Sequence, residues 1–389
     1  MKNSIAIKRL IYIISGVILL GIFGYVLYRS AITPEQKQPE EIGITGRFPG
    51  VTPPFIKETP GQQILEPEIS GALEARLIRL TDFPVISAAL NKNEDKIFFY
   101  KKEGGDLFSS DFKGENKEKV SNLTIIGISE AMWSPLKDRA AVFYLDQETK
   151  KGFLHLGTSS VAVLPQDIHS FSWSPDGKSL AYLIKRNSEA DLIIADSSGK
   201  NPKTVFRTPL VETNLQWITT DKIAFETAPS GLTEGFLFLY SRGSGTLNKI
   251  ISGFGITSLW SPDGKKIITA STKAEGKNLN TVLYDSSGQE IWTPALTTLP
   301  EKCAWFSAKE LICAVPRSIS PRAIWPDGYL RGEIFTSDRV VILDSDKKTI
   351  QEIFNEGNFD ITNLLITKDQ SYLVFADRRD GTLWSLKLR

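Results

Sequence analysis

Two segments of the sequence are nearly identical: FSWSPDGKSLAYL, which begins at Phe171, and SLWSPDGKKIITA, which begins at Ser258. Each runs an apolar stretch into a tryptophan, then Ser-Pro-Asp-Gly, then a second apolar stretch. Proline presets φ for a turn, and glycine accepts the positive φ that many turns need. Each segment therefore predicts two adjacent strands, the first of which ends at the tryptophan.

Five weaker copies of this segment occur along the chain. The positions that align with the tryptophan are Leu90, Trp133, Trp173, Trp217, Trp260, Trp305 and Leu365. The steps between them are 43, 40, 44, 43, 45 and 60 residues. A period in the low forties with four short strands per unit is typical of propeller blades. The repeat predicts an all-β fold, a seven-bladed β-propeller over residues 75–389.

The two ends of the repeat region complement each other. The last unit has only three predicted strands, the final one at 381–388, while a spare strand at 75–80 precedes the first unit. A sheet edge left open is a liability for a folded domain. We therefore expect strand 75–80 to complete the last blade and close the ring.

The Trp-Ser-Pro-Asp-Gly-Lys repeats resemble the WD-like repeats of TolB-type β-propellers, and also the propellers of prolyl-oligopeptidase-type peptidases. The resemblance covers residues 75–389 and implies a periplasmic or cell-surface propeller that binds other macromolecules. Two departures limit it. The chain has no counterpart of the N-terminal α/β domain of TolB, and it lacks the catalytic domain of the peptidases.

Residues 10–28 contain no charged side chain and are long enough, at 19 residues, to span a bilayer as a helix. Lys2, Lys8 and Arg9 precede them and favour a cytoplasmic tail over residues 1–9. A signal peptide cleaved after Ala31 is the alternative. Residues 30–72 are rich in proline and predict an extended linker, either a spacer or a recognition motif for a partner.

Composition limits the chemistry that we expect. The 46 lysines and arginines nearly balance the 45 aspartates and glutamates, which argues against nucleic-acid binding. With two cysteines and two histidines, no metal site or cofactor is predicted. His155 and His169 are interpreted as ordinary strand or loop residues. The carboxylates Asp176, Asp221 and Asp263 fall in turns and are interpreted as structural. No catalytic motif is present, so no catalytic residue is predicted.

Cys303 and Cys313 flank a predicted hairpin. If Trp305 pairs with Leu311, the two cysteines face each other across the strands and could form a disulfide outside the cytoplasm. Two buried free thiols are the alternative.

The long step between the sixth and seventh units comes from an insertion at residues 316–336. It carries the mixture of aromatic and arginine side chains found at interface hot spots. The candidate partner-binding residues are Arg317, Arg322, Trp325, Tyr329 and Arg331. Alternatively, Trp325 and Tyr329 fold inward and plug the mouth of the channel.

The first functional hypothesis is a membrane-anchored, non-enzymatic binding or scaffold module of the cell envelope, with envelope proteins or polysaccharide as partners. The second is a propeller enzyme or binder that acts on envelope polysaccharide or peptides through its central channel. A docking subunit of a larger envelope machine is a third.

Overall fold

The computed structural model describes residues 76–147, 149–156 and 160–389. The predicted tail, membrane helix and linker, at residues 1–9, 10–28 and 30–72, lie outside the described residues. Within the described part of the chain, no helix is long and apolar enough to cross a membrane.

The first strand, β1 (Leu77–Arg79), belongs to the last sheet, and three four-stranded sheets follow it. Sheet 1 consists of β2 (Val85–Leu90), β3 (Ile97–Lys101), β4 (Leu107–Ser110) and β5 (Glu118–Lys119). Sheet 2 consists of β6 (Ile128–Trp133), β7 (Arg139–Asp146), β8 (Thr149–Leu156) and β9 (Ser160–Val163). Sheet 3 consists of β10 (Ile168–Trp173), β11 (Ser179–Arg186), β12 (Glu189–Asp196) and β13 (Lys203–Thr208).

The remaining strands form a seven-stranded sheet and two more four-stranded sheets. Sheet 4 consists of β14 (Thr213–Trp217), β15 (Lys222–Thr227), β16 (Glu234–Ser241), β17 (Thr246–Trp260), β18 (Lys266–Lys273), β19 (Lys277–Asp285) and β20 (Glu290–Trp292). Sheet 5 consists of β21 (Cys303–Trp305), β22 (Glu310–Pro316), β23 (Asp338–Asp344) and β24 (Thr349–Phe354). Sheet 6 consists of β25 (Ile361–Ile366), β26 (Tyr372–Asp377), β27 (Leu383–Lys387) and β1.

Among the described residues, three short helical segments interrupt the strands. They are two 3-10 turns and one α-helix: Ala274–Gly276, Pro300–Lys302 and α1 (Asp327–Leu330). Strands thus dominate the described residues, and the all-β prediction is confirmed.

The Ser-Pro-Asp-Gly turns owe their geometry to their own side chains. Ser174 donates from its hydroxyl to the Asp176 carboxylate at 2.7 Å, and its oxygen accepts from the Ser179 amide at 2.9 Å. Gly177 has φ +67°, a conformation that favours glycine. Ser261 and Asp263 repeat the first contact at 2.7 Å. The repeat therefore encodes the hairpin between the first two strands locally.

The first strands of neighbouring sheets contact one another, for example β2 with β6, β10 with β14 and β21 with β25. Contacts between β25 and β2 join the last sheet to the first. Strand β1 pairs with β27, with Leu77 opposite Leu386, so the earliest described strand completes the sheet that ends the chain. The first strands thus surround a common space, which we call the central channel.

The hydrophobic core lies between adjacent sheets. Phe143 and Leu154 of sheet 2, for example, share one cluster with Phe171, Leu180 and Tyr182 of sheet 3. Burying an aliphatic or aromatic side chain of this kind stabilises the fold by about 1.5–3 kcal/mol.

Candidate functional site

A cavity of about 540 Å³ opens on the central channel beside the first strands of sheets 2, 3 and 4, and strands β15, β16 and β17 of sheet 4 complete its wall. Its wall combines indole rings with neutral polar groups and one carboxyl group. The lining residues that bear these groups are Trp133, Trp173, Trp217, Ser172, Asn214, Gln216, Ser258 and Glu226. We call this the channel cavity.

Glu226 reaches the channel cavity from β15, the second strand of sheet 4. Alternate residues of a strand face opposite sides. Ile223 and Phe225 pack into the core toward sheet 3, whereas Ala224 belongs to the cluster that contains Trp260 of β17. Glu226 shares the side of Ala224 and accepts a hydrogen bond from the hydroxyl of Ser258 on β17.

The carboxyl group of Glu226 is only partly exposed. Its pKa is raised to about 8, chiefly by burial; the charge of Glu301 contributes to the rise, and the hydrogen bonds of Ser258 oppose it. At neutral pH a carboxyl with such a pKa is mostly protonated and can donate a proton, a property of catalytic acids.

Glu301 lies in the 3-10 turn Pro300–Lys302, which contacts both β17 and β25. Its side chain meets solvent, yet protein surrounds it closely enough that burial raises its pKa. Its neighbour Lys302 points the other way and is fully buried. The two residues therefore divide the turn into a side facing solvent and a side facing the core.

Lys302 is held by a buried polar network. Its Nζ lies 2.6 Å from Oδ1 of Asp360 and 2.8 Å from Oδ2 of Asp338. It also donates to the hydroxyls of Tyr329 at 3.0 Å and Thr336 at 3.1 Å. Burial raises the pKa of Asp338, while the Lys302 ammonium lowers it. The network fastens the insertion to sheets 5 and 6.

The structure buries both aromatic residues of the insertion. Trp325 and Tyr329 are each 2% exposed, and their rings stack with centroids 5.8 Å apart. They belong to a cluster with Ala270, Leu279 and Leu299. Neither ring is therefore available as an exposed contact, because the loop packs them against the domain.

The three candidate arginines are exposed. Arg317 donates to the Asn355 side chain at 2.9 Å and to the Ser337 hydroxyl at 2.6 Å. Arg331 pairs with Glu333 at 2.7 Å, and Arg322 contributes its backbone carbonyl to the ammonium of Lys277. The predicted residues thus separate into a buried aromatic pair and exposed cations.

Cys303 and Cys313 stand directly opposite each other in β21 and β22 and form a disulfide, with Cα atoms 4.1 Å apart.

Turn carboxylates and histidines fill local roles. Asp221 accepts from the Gly243 amide at 2.7 Å, and Asp176 accepts from the Lys178 amide at 3.1 Å. His155 is buried against the Tyr100 hydroxyl at 2.8 Å, while His169 faces Glu212 at 3.4 Å. In the described part of the chain, no group of three or more His, Cys, Asp or Glu residues could hold a metal ion.

Sequence analysis did not identify Glu226 or Glu301. The available signal was a glutamate near the end of the otherwise apolar strand segment IAFE, at 223–226. Glu301 carries no such signal, because it lies in a connection between two sheets.

Comparison with known proteins gives structural matches only. No protein-family model matches the chain, and no curated protein does either. An oligogalacturonate lyase in complex with manganese matches with TM-score 0.58 and 12% identity, over 80% of this chain and 93% of that one. An oligogalacturonate lyase from Vibrio parahaemolyticus matches with TM-score 0.56 and 12% identity, over the same shares.

The β-propeller domain of the Trilobed protease from Pyrococcus furiosus matches with TM-score 0.54 and 13% identity, over 78% of this chain and 95% of that one. TolB structures are also among the matches. The match to the propeller domain of the Trilobed protease confirms the predicted resemblance as one of fold, which is all that identities this low show.

One functional prediction needs correction. The sequence led us to favour a non-enzymatic binding or scaffold module. That preference is wrong, because two of the matched structures are those of an enzyme and each covers 80% of this chain. These matches agree better with the alternative, a propeller enzyme or binder that acts on envelope polysaccharide or peptides through the central channel.

Proposed function

We propose that this protein is a seven-bladed propeller, anchored in the membrane and held outside the cytoplasm, that binds an envelope polysaccharide in its channel and acts on it. Sheet 4 counts as two blades, because the 15-residue strand β17 serves as the last strand of one blade and the first strand of the next. Residues 10–28 would supply the anchor and residues 30–72 the spacer.

The observation that carries the proposal is the chemistry of the channel cavity. Sugar rings have apolar faces that pack on aromatic side chains and hydroxyl groups that need hydrogen-bond partners. The cavity wall offers the indoles of Trp133 and Trp173 beside the amides of Asn214 and Gln216. A few polar groups set among aromatic side chains is the usual composition of a small-molecule site.

The matched enzymes support a carbohydrate ligand, since both are named oligogalacturonate lyases. A peptide ligand is the second candidate, because a propeller domain from a protease matches with TM-score 0.54.

The test is a binding measurement on the full-length protein in detergent micelles. Hexasaccharides of N-acetylglucosamine, glucose, mannose and galacturonate, and an unstructured decapeptide, are titrated by calorimetry. We expect a hexasaccharide to bind and Gln216→Leu to weaken it about tenfold, because a hydrogen bond lost in a cavity costs about 1.4 kcal/mol. Gln351→Leu, at an exposed position of β24, is the matched control. Binding of the peptide alone would favour the second candidate, and equal affinity of both variants would remove the channel cavity from the proposal.

The anchor has its own test. After cell fractionation, we expect the full-length chain to remain in the membrane pellet at alkaline pH. Protease added to cells whose outer layers are permeabilised should digest the propeller. Release of a shortened chain into the soluble fraction would indicate cleavage near Ala31 instead.

A further inference from the structure

Glu226 combines three properties that the rest of the channel cavity lacks among its lining residues. It carries an ionisable group, it lines the cavity as a partly exposed residue, and its carboxyl group is held in place by the hydroxyl of Ser258 on the neighbouring part of sheet 4. Because burial raises its pKa to about 8, this carboxyl holds its proton at neutral pH.

The surroundings of Glu226 keep its carboxyl group protonated. The charged form of Glu301 raises the pKa of Glu226, because a negative charge opposes a second ionisation nearby. The adjacent Lys302 ammonium does not turn toward the cavity, because Asp338 and Asp360 bind it in the core. The other polar groups on the cavity wall, such as Ser172, Asn214 and Gln216, are neutral.

A second polar group lies on the same side of β17. The indole of Trp260, two residues after Ser258, is only 4% exposed, and its N–H has no hydrogen-bond partner among the described residues. A buried donor without a partner costs about 1–3 kcal/mol. Trp260 is not among the residues that line the channel cavity and packs in a core cluster with Ala224 and Leu237, so its N–H bears on the stability of sheet 4 and not on the ligand.

Resting on the proposed function, we infer that Glu226 is the proton donor in the hydrolysis of an uncharged glycan bound in the channel cavity. An uncharged chain fits better than a polymer of uronates or phosphates, because the charge of Glu301 that disfavours ionisation of Glu226 also disfavours an anion beside Glu226. Glu301 affects the reaction only by raising the pKa of Glu226, so it is a positioning residue and not a catalytic one.

Glu226 gives its proton to the glycosidic oxygen as the bond between that oxygen and the anomeric carbon breaks. A water molecule from the channel adds its oxygen to the anomeric carbon and releases one proton to the surrounding water. The Glu226 carboxylate then takes a proton from solvent, so the net change is the addition of one water molecule across the glycosidic bond.

The experiment measures binding and cleavage separately, on the full-length protein in detergent micelles. Hexasaccharides of N-acetylglucosamine, glucose and mannose serve as uncharged probes, and hexagalacturonate as the charged one. We expect Glu226→Gln to bind its uncharged hexasaccharide within about twofold of the wild type. Its cleavage rate should fall by about 10²–10⁴-fold, the range that a general acid contributes.

The pH profile separates a proton donor from a merely structural carboxyl. The wild-type rate should decline as pH rises past about 8, where Glu226 loses its proton. Glu301→Gln should move that decline to lower pH by removing a charge that raises the Glu226 pKa. Ser258→Ala should move it to higher pH by removing a hydrogen bond that lowers the pKa.

The outcomes distinguish the two proposals. If the wild type binds no hexasaccharide, the proposed function fails. If it binds an uncharged hexasaccharide but does not cleave it, or if Glu226→Gln cleaves at the wild-type rate, only this inference fails. It also fails if the two shifts in pH profile are not opposite, or if hexagalacturonate is the preferred substrate.

Discussion

The indole N–H of Trp173 donates a hydrogen bond to the backbone carbonyl of Met132, 2.8 Å away on the first strand of the preceding sheet. Trp133 makes the equivalent bond to Ser87 at 2.7 Å, and Trp305 makes it to Leu259 at 3.3 Å. The repeated tryptophan thus joins neighbouring first strands as well as filling space between sheets.

Two tryptophans of the repeat lack this bond. Trp217 donates instead to the carbonyl of Thr219 in its own turn. The N–H of Trp260 has no partner among the described residues, although its ring is as buried as that of Trp173. Trp173 and Trp260 make a matched comparison. Phenylalanine at either position removes the same volume, but only Trp173→Phe also breaks a hydrogen bond. We expect Trp173→Phe to lower the free energy of unfolding in urea by about 1 kcal/mol more than Trp260→Phe does. Equal losses would mean that the inter-sheet bond contributes nothing to stability.

The repeat could be read from the sequence because its turn is encoded locally. Ser174, Asp176 and Gly177 form their contacts within one short segment, so no distant residue is needed to specify them. The sequence did not predict that β17 is one continuous strand of 15 residues, because no local turn motif marks it. Its chain passes through Gly253 and Gly255, and Gly255, at φ +60°, lets one strand serve two parts of a sheet without a turn motif.

The candidate site was harder to predict because it depends on long-range placement. Glu226 and Glu301 lie far apart in the sequence, and only the arrangement of sheets around the channel lets one affect the pKa of the other. The insertion illustrates a different limit. Aromatic side chains suit both an exposed interface and a buried plug. Their burial depends on contacts that only the folded chain provides, such as Lys302 with Tyr329 and Gly231 with Asp327.

The Lys302 network should be strongly coupled to stability. Lys302→Met would leave Asp338 and Asp360 buried without their cation, and we expect a loss of about 3–5 kcal/mol in the free energy of unfolding at pH 7. Lys309→Met is the control, because the ion pair of Lys309 with Asp346 is exposed and should contribute less than about 1 kcal/mol.

The pH dependence of the Lys302→Met variant follows from the direction of the Asp338 pKa. Burial raises this pKa in the folded state above the unfolded value. The folded state is therefore favoured where Asp338 is protonated, and stability is lost as pH rises through the folded pKa. Without Lys302 the pKa of Asp338 should rise further. The loss of unfolding free energy caused by Lys302→Met should therefore become smaller as pH falls toward 4. A penalty independent of pH would contradict this account of the network.

The disulfide predicts a simple chemical result. Iodoacetamide should not modify the native or urea-unfolded protein without reductant, and it should add two carbamidomethyl groups after reduction, as read by intact mass. A cross-link that closes a loop of this size stabilises a protein by about 2–4 kcal/mol. We therefore expect the Cys303→Ser, Cys313→Ser double variant to lose stability in that range. Alkylation of both cysteines without reductant would show free thiols instead.

The insertion is fastened to sheet 4 by Asp327 at the start of α1. Its carboxylate accepts from the Ser230 hydroxyl at 2.8 Å and from the Gly231 amide at 2.7 Å, both in the loop between β15 and β16. A hydrogen bond to a charged group contributes about 1.5–3 kcal/mol. Asp327→Ala should therefore let this segment open at least about tenfold more often.

Opening of the segment can be measured by trypsin cleavage, because Arg322 and Arg331 are exposed and lie on either side of Asp327. We expect at least a tenfold faster cleavage after these arginines in Asp327→Ala, measured by mass spectrometry of timed digests. Glu333→Gln is the control, since its pairing with Arg331 is exposed and contributes little. If both variants are digested at the wild-type rate, the contacts with Ser230 and Gly231 do not hold the insertion in place, and the buried network around Lys302 must be sufficient by itself.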